Sequence, residues 1–333
     1  MAYSVSEMWT QAFENEIRLL VQQRNPVLGN TVTVTAEEGE YIFEDRIAPV
    51  THIAKTTSNQ ATAFADVTHT KRQVTFTDKT LNLYIDDRDV KRMGRGESSI
   101  LGAYSKQLVA DYHRTIDDII IAAFLAAADE GKGVNDTFSS VAFDTANQVI
   151  AADFTAGDAV GDGNGSSSDT YGTGDWGLTL EKLLVARSIL EENNAIQSGE
   201  EVYCVIGPRE HVDLMKIPEY KSSDFSKIMP YDMGIDPNGY IGNWLGVHFL
   251  CSNRLAVTDP AGANNQYRSN FMFTSGAMKL RKVGGQVIKA MENPERNMAL
   301  TINSQFSLGA VRLEEEKVVE IRTASGMAGG DAA

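Results

Sequence analysis

The spacing of apolar residues changes period along the chain, and each change marks a boundary. Trp9, Phe13, Ile17 and Leu20 recur at helical spacing behind a capping Ser6. That predicts an amphipathic helix over residues 5–24, ended by Asn25-Pro26. Its apolar face needs something to lie against, either its own core or a neighbouring subunit. The period then drops to two. TVTVT (31–35), EYIFED (40–45), RQVTFT (72–77) and TLNLYID (80–86) read as strands, with a hairpin turning near Asp78-Lys79. Between the outer pairs runs a long polar stretch, THIAKTTSNQATAFADVTHTK. Two-stranded ribbons are marginal alone in water. The pattern therefore predicts an arm that reaches out to a partner.

Helical spacing returns with Leu101, Tyr104, Leu108, Tyr112, Ile116, Ile119, Ala123 and Ala127, capped by Ser98 or Ser99, with Gly131 beyond the end. A helix over 97–131 is about 45 Å long, more than twice the usual length, and serves as a strut for a flat or elongated domain. Residues 133–181 contain seven Asp and neither Lys nor Arg. Within them GDAVGDGNGSSSDTYGTGDWG reads as a solvated loop or insertion. Then LTLEKLLVARSILEENNA reads as helix, EEVYCVIGP as strand, REHVDLMKIP as helix and GNWLGVHFLCSNRL as a buried strand between a glycine turn and an Asn turn. That alternation marks an α/β-type lobe. SNFMFTS, AMKLRKV, MALTINSQFSLGAVRL and KVVEIRT return to β, and the tail SGMAGGDAA reads as frayed.

Composition sharpens this picture. The chain has 333 residues, 42% of them hydrophobic, ample for a core and about two domains. Forty-five acidic residues against 30 basic give a net charge of −15, the wrong sign for holding nucleic acid through its phosphates. Cys204 and Cys251 each sit in an apolar run and read as buried free thiols, which fits a reducing compartment. The first residues carry Glu7, Glu14 and Glu16 with no basic start, unlike a signal peptide. No run of 18 apolar residues predicts a membrane span.

Candidate chemistry is sparse. GTGDWG (172–177) matches a dinucleotide fingerprint and opens a helix, but follows a Gly/Ser/Asp loop where a buried strand is required. Asp158, Asp162, Asn164 and Asp169 suggest calcium, but counting from Asp162 puts Ser167 and Thr173 where an EF-hand needs Gly and Glu. His113 and Asp117, four apart on the long helix, read as an ordinary surface pair. Neither G-x-S-x-G nor H-E-x-x-H occurs. Asp86, Asp87, Arg88, Asp89, Lys91, Arg92 and Arg95 form a mixed charge cluster, either a solvated face or inter-subunit ion pairs. A chain this long without a catalytic, cofactor or metal constellation reads as a structural protein.

GYIGNWLGVHFLCSNRL resembles the segment near the end of the axial domain in major capsid proteins of tailed bacteriophages, where a Gly-x-Ile-Gly turn precedes an apolar strand ending in Ser-Asn. EEVYCVIGPREHVDLMK is similar to the strand–Pro–helix unit before it, and QFSLGAVRLEEEKVVEIRT to the family's closing strands. The order of arm, β loop, long helix, lobe and returning strands matches over nearly the whole chain. The resemblance implies an α+β capsid fold, shared with herpesvirus floor domains. It places an N-terminal arm at 1–30 and an extended β loop with the start of the peripheral domain at 31–95. The spine helix falls within 96–139, an axial domain with an Asp/Gly-rich insertion (157–175) within 140–257, and a return to the peripheral domain in 258–333.

It further implies a major capsid protein that self-assembles as pentamers and hexamers into an icosahedral head around double-stranded DNA, bound without sequence specificity. A separate scaffolding protein, a portal and a cement or decoration protein are the implied partners, with assembly in host cytoplasm and no membrane. Inter-subunit contact candidates are Trp9, Phe13, Lys71, Arg72, Asp86, Asp87, Arg88, Arg92 and Arg95. Lys55, Lys71 and Lys79 lie in the loop region, and no covalent cross-link is expected. The rival readings are an encapsulin-like shell, an α/β nucleotide-binding enzyme using GTGDWG, and a calcium-dependent surface-layer module.

Overall fold

The structure, a computed structural model, describes residues 22–23, 25–36, 39, 41–62, 64–85, 97–131, 138–154, 160, 176–221, 236, 238–258, 267–296 and 299–324. In chain order the elements begin with β1 (Thr33–Ala36), β2 (Tyr41–Ile47), β3 (His69–Thr75), β4 (Thr77–Ile85) and α1 (Glu97–Leu125). Next come β5 (Ala128–Gly131), β6 (Ser139–Val141), β7 (Val149–Ile150), α2 (Leu180–Glu192), β8 (Val202–Ile206) and α3 (Pro208–Lys216). The chain continues with β9 (Tyr240–Trp244), β10 (Val247–Cys251), β11 (Val257–Thr258), β12 (Tyr267–Thr274), β13 (Met278–Asn293), β14 (Ala299–Arg312) and β15 (Val318–Ala324). The fold class is α+β, as expected. Most of the expected residue 5–24 helix and most of the Asp/Gly insertion lie outside the described residues; Gln22 and Gln23, which are described, are not helical. No helix among the described residues is long and apolar enough to cross a membrane.

The chain divides into two compact units. One comprises Asp78–Thr115 and Gly285–Phe306 with the chain up to Asn25; the other comprises Pro26–Thr77, Ile116–Gly284 and everything from Ser307. In the first, Ile85, Leu108 and Ile302 form a small core flanked by Leu83 and Ile288. Tyr112 meets Phe306 edge-on at 5.0 Å. Gln286 donates to the Leu108 carbonyl at 3.0 Å and to Ser304 Oγ at 2.9 Å.

The second unit holds the α/β-type lobe. Its seven-stranded sheet runs β7-β15-β12-β8-β10-β9, with β11 attached to β12. β8 and β10 are parallel, and Cys204 pairs with Phe249. On one face Leu183, Ala186, Ile189 and Leu190 of α2 and Leu214 of α3 pack with Cys204, Ile206, Phe249 and Trp244. On β12 the ring of Phe271 stacks with Phe124 of α1 at 4.6 Å. Both cysteines are free and buried, and burial pushes the Cys251 thiol up to about 11.

Two motifs acquire physical reasons here. Between β9 and β10, Leu245 and Gly246 both take positive φ (55° and 71°), the twist-matched geometry of a two-residue hairpin. The strained Leu245 is held by Arg187, which donates to its carbonyl. At the far end of β10, Ser252 Oγ accepts from the Arg254 N–H at 3.2 Å, making the turn that stops the strand. In the IGPREH junction, a Cβ on Gly207 would lie 2.4 Å from both Arg268 and Glu210. Glycine leaves room there for that ion pair, 2.9 Å long, to lie against the backbone.

Three expectations are corrected. The long helix ends at Leu125, not near Gly131, because Ala128–Gly131 is captured as a strand between β3 and β6. Gly131 belongs in that strand because a Cβ would lie 2.6 Å from the Phe138 ring, which itself stacks on Phe43 at 5.8 Å. No hairpin turns at Asp78-Lys79, which lie within β4. Here β3 pairs with β2 and β5 while β4 pairs with β14, so the chain passes through Phe76 from one sheet to another. Finally, Asp117 is not a surface residue. It is fully buried and accepts the N–H groups of Val27 (2.9 Å) and Leu28 (3.0 Å), satisfying backbone that would otherwise be stranded in the core.

Candidate assembly surface

The β2–β3 ribbon pairs Tyr41–Ile47 with His69–Thr75 in an unbroken antiparallel register. Its base is fastened by buried charges. Arg72 on β3 is 1% exposed and donates to the Arg312 carbonyl and to Glu315, both at 2.7 Å. Arg312, with no exposed surface, bonds Glu315 at 3.2 Å and the Ala126 carbonyl at 3.1 Å, and so also ties down the end of α1. From β2, Glu44 pairs with Lys279 at 2.8 Å and with buried Arg281 of β13, while Arg46 reaches Glu130 at 3.3 Å. Burial alone would raise the Glu315 carboxyl. The hydrogen bond and charge of Arg72, with the charge of Arg312, outweigh it and hold the carboxyl below its ordinary range.

β14 approaches the same base so closely that a Cβ on Gly309 would lie 2.3 Å from the Thr75 carbonyl oxygen. Glycine inside a strand there is a close-approach residue.

The far end of the ribbon is the opposite. After the bond from Ala48 N–H to the Thr68 carbonyl, 3.0 Å, the described residues of 49–67 belong to no helix or strand and all are exposed. Phe64 is 90% exposed, Ile47 67%, and Val50 and Ile53 55% each. One local turn, in which the Thr56 N–H donates to Gln60 Oε1 at 2.7 Å, shapes the tip. Three large apolar side chains on one bare segment, with Ile47 at the end of β2 beside them, exceed what a solvated loop needs.

In the other unit, the β4–β14–β13 face turned away from the small core carries a groove of about 630 Å³. Asn82, Tyr84, Asn303, Gln305, Lys289 and Met291 are among the residues that line it. Asn82 and Asn303 bond each other across the strands, and Tyr84 and Met291 are exposed.

The sequence-derived contact residues fare unevenly. Trp9, Phe13, Asp86, Asp87, Arg88, Arg92 and Arg95 lie outside the described residues. Lys71 is partly exposed on the ribbon, 3.2 Å from Asp45 of the paired strand. Arg72 is corrected: its guanidinium is consumed inside its own chain and leaves no surface for a neighbour. Sequence reading missed Phe64, Val50 and Ile53, whose signal was apolar residues placed without period in a polar stretch. It also missed the buried arginines, which nothing local distinguishes from surface ones.

Of GTGDWG, Trp176 and Gly177 are described. A Cβ on Gly177 would meet Asp213 at 2.8 Å, so this glycine serves packing. Fully buried Lys182 donates to the Gly177 carbonyl at 3.0 Å and to the Ala152 carbonyl at 2.6 Å, pinning together the two sides of the Asp/Gly insertion. The start of α2 is thus closed by its own chain, with Thr179 accepting from the Lys182 N–H. Asp158, Asp162 and Asp169 lie outside the described residues, and no cluster able to hold a metal occurs among those described.

The phage capsid protein family model matches residues 5–325. No curated protein sequence matches the chain. Among solved structures, the capsid of cyanophage P-SCSP1u shares 16% identity at a TM-score of 0.66, covering 97% of this chain and 95% of that one. The cyanophage Pam1 capsid asymmetric unit shares 13% at 0.66, over 98% and 99%. The capsid of Ralstonia phage GP4 shares 10% at 0.64, over 97% and 98%. These likenesses fix the fold end to end, and together with the family match they show that the chain belongs to the phage capsid protein family.

Proposed function

We propose that this chain is the major capsid protein of a tailed double-stranded DNA phage, closing as pentamers and hexamers into an icosahedral head around the genome. One observation carries the reading: a ribbon whose base is locked by buried ion pairs and whose end presents Phe64, Val50 and Ile53 to solvent. A side chain the size of Phe gains about 1.5–3 kcal/mol on burial. A few such residues per subunit, repeated around a closed ring, turn a modest contact into a durable shell.

In this reading residues 1–30 are an N-terminal arm, 31–95 hold the extended loop and 96–139 the spine helix. Residues 140–257 are mostly the axial domain, and 258–333 complete the peripheral domain. Trp9, Phe13, Lys71, Asp86, Asp87, Arg88, Arg92 and Arg95 are contact candidates between subunits. A scaffolding protein, a portal, a cement or decoration protein and DNA held without sequence specificity are the partners. The role is structural rather than enzymatic, and the head is assembled in the host cytoplasm. The net charge of −15 supports this indirectly, since it limits adhesion to packaged DNA.

The test replaces residues 50–66 with a short Gly-Ser turn. The expected product is a folded subunit with unchanged circular dichroism that no longer forms shells by electron microscopy and sedimentation. Normal shells from that variant would refute the reading.

A further inference from the structure

A row of tilted rings crosses three adjacent strands of the seven-stranded sheet: Tyr203 on β8, His248 on β10 and Tyr240 on β9. Ring centroids are 5.5 Å apart for Tyr203–His248 and 6.0 Å for His248–Tyr240. Side chains alternate along a strand, so Tyr203 and His248 point away from the face where Cys204 and Phe249 meet α2 and α3. The row is half-buried. Hydrogen bonds fix its geometry: Tyr240 Oη lies 3.2 Å from His248 Nδ1, and Asn243 Nδ2 lies 3.1 Å from His248 Nε2. Two exposed carboxylates, Glu201 and Asp236, stand beside the row, and the charges of both act on Tyr240. Glu201 accepts from Tyr203 Oη at 2.5 Å, and Asp236 is joined to Tyr240 by a backbone bond of 3.0 Å.

We propose that this shelf is a docking surface for an arginine-bearing segment of another protein. A planar guanidinium stacks on aromatic faces and forks onto a carboxylate, and this row offers both within one span. Lysine satisfies the carboxylates but cannot stack. Charge also selects the occupant. The exposed carboxylates of Glu201 and Asp236 favour a segment of opposite sign at this face.

The experiment uses the full-length protein and two end-blocked synthetic peptides, Gly-Arg-Gly-Arg-Gly and its lysine counterpart, titrated by calorimetry at fixed low salt. The arginine peptide is expected to bind more tightly. The double variant Glu201→Gln/Asp236→Asn, altered only at exposed positions, should weaken it by about fivefold or more. The control pair Glu181→Gln/Glu192→Gln removes two exposed carboxylates from α2 and should leave binding unchanged. Equal loss in both double variants, or no preference for arginine, would overturn the proposal as general attraction to an acidic protein. Impaired shell formation by Glu201→Gln/Asp236→Asn with unchanged peptide binding would also overturn it, assigning the face to a second copy.

Discussion

The seven-stranded lobe and the β2–β3 ribbon solve the same problem with different materials. The lobe buries aliphatic and aromatic side chains on its helix-covered face, with Phe249, Leu214, Leu190 and Trp244 all nearly inaccessible. The ribbon has too little area to bury and is fixed at its base by Arg72, Arg281 and Arg312 against Glu44, Glu130 and Glu315. An apolar core tolerates small shifts. A buried ion pair does not, because its desolvation is offset only in one geometry. The ribbon is therefore aimed by its charges, while the apolar residues at its end stay exposed.

Mutations can break that contrast. Phe249→Ala should destabilise the lobe by about 3–5 kcal/mol through a cavity, read as a lowered urea midpoint. A much smaller loss would mean the lobe is not the stability centre. Gly309→Val should cost about 1–3 kcal/mol, since the Thr75 carbonyl 2.3 Å away is backbone and cannot step aside. That loss should come with weaker hydrogen-exchange protection in the ribbon.

Glu315→Gln should be destabilising at neutral pH and progressively less so in acid. The carboxyl is held below its ordinary range by Arg72 and Arg312, so its contribution is present above that range and disappears as pH falls through the lowered value. Wild-type and variant urea midpoints should converge on acidification, and a constant gap would assign the loss to packing. Phe64→Ala should change stability by less than about 0.5 kcal/mol while slowing shell formation measured by light scattering. An unstable Phe64→Ala subunit would place that ring inside its own chain.

What could be read from sequence follows the same division. The strands VYCVI and VHFLC, the helices after Thr179 and Gly207, and the long helix were legible because their apolar spacing is local. The ribbon's two strands and the polar stretch between them were legible too. The strand Ala128–Gly131 was not, because ADEG has no β character and is held only by pairing with residues far away in sequence. The supposed turn at Asp78-Lys79 failed for the same reason: Asp and Lys sit comfortably in an edge strand. Arg72 and Asp117 look like any surface charge until tertiary structure supplies Glu315 and the Val27 and Leu28 N–H groups.

The lysine bolt at the neck of the acidic insertion has a practical corollary. With the Ala152 and Gly177 carbonyls both fastened to Lys182, the two ends of that interval are held together, and of its described residues Phe154 and Val160 pack on the lobe's core. Lengthening such a closed excursion costs only about 0.6 kcal/mol per doubling. The position is therefore a natural port for grafting foreign epitopes or affinity tags, with fusion clones screened for particle yield.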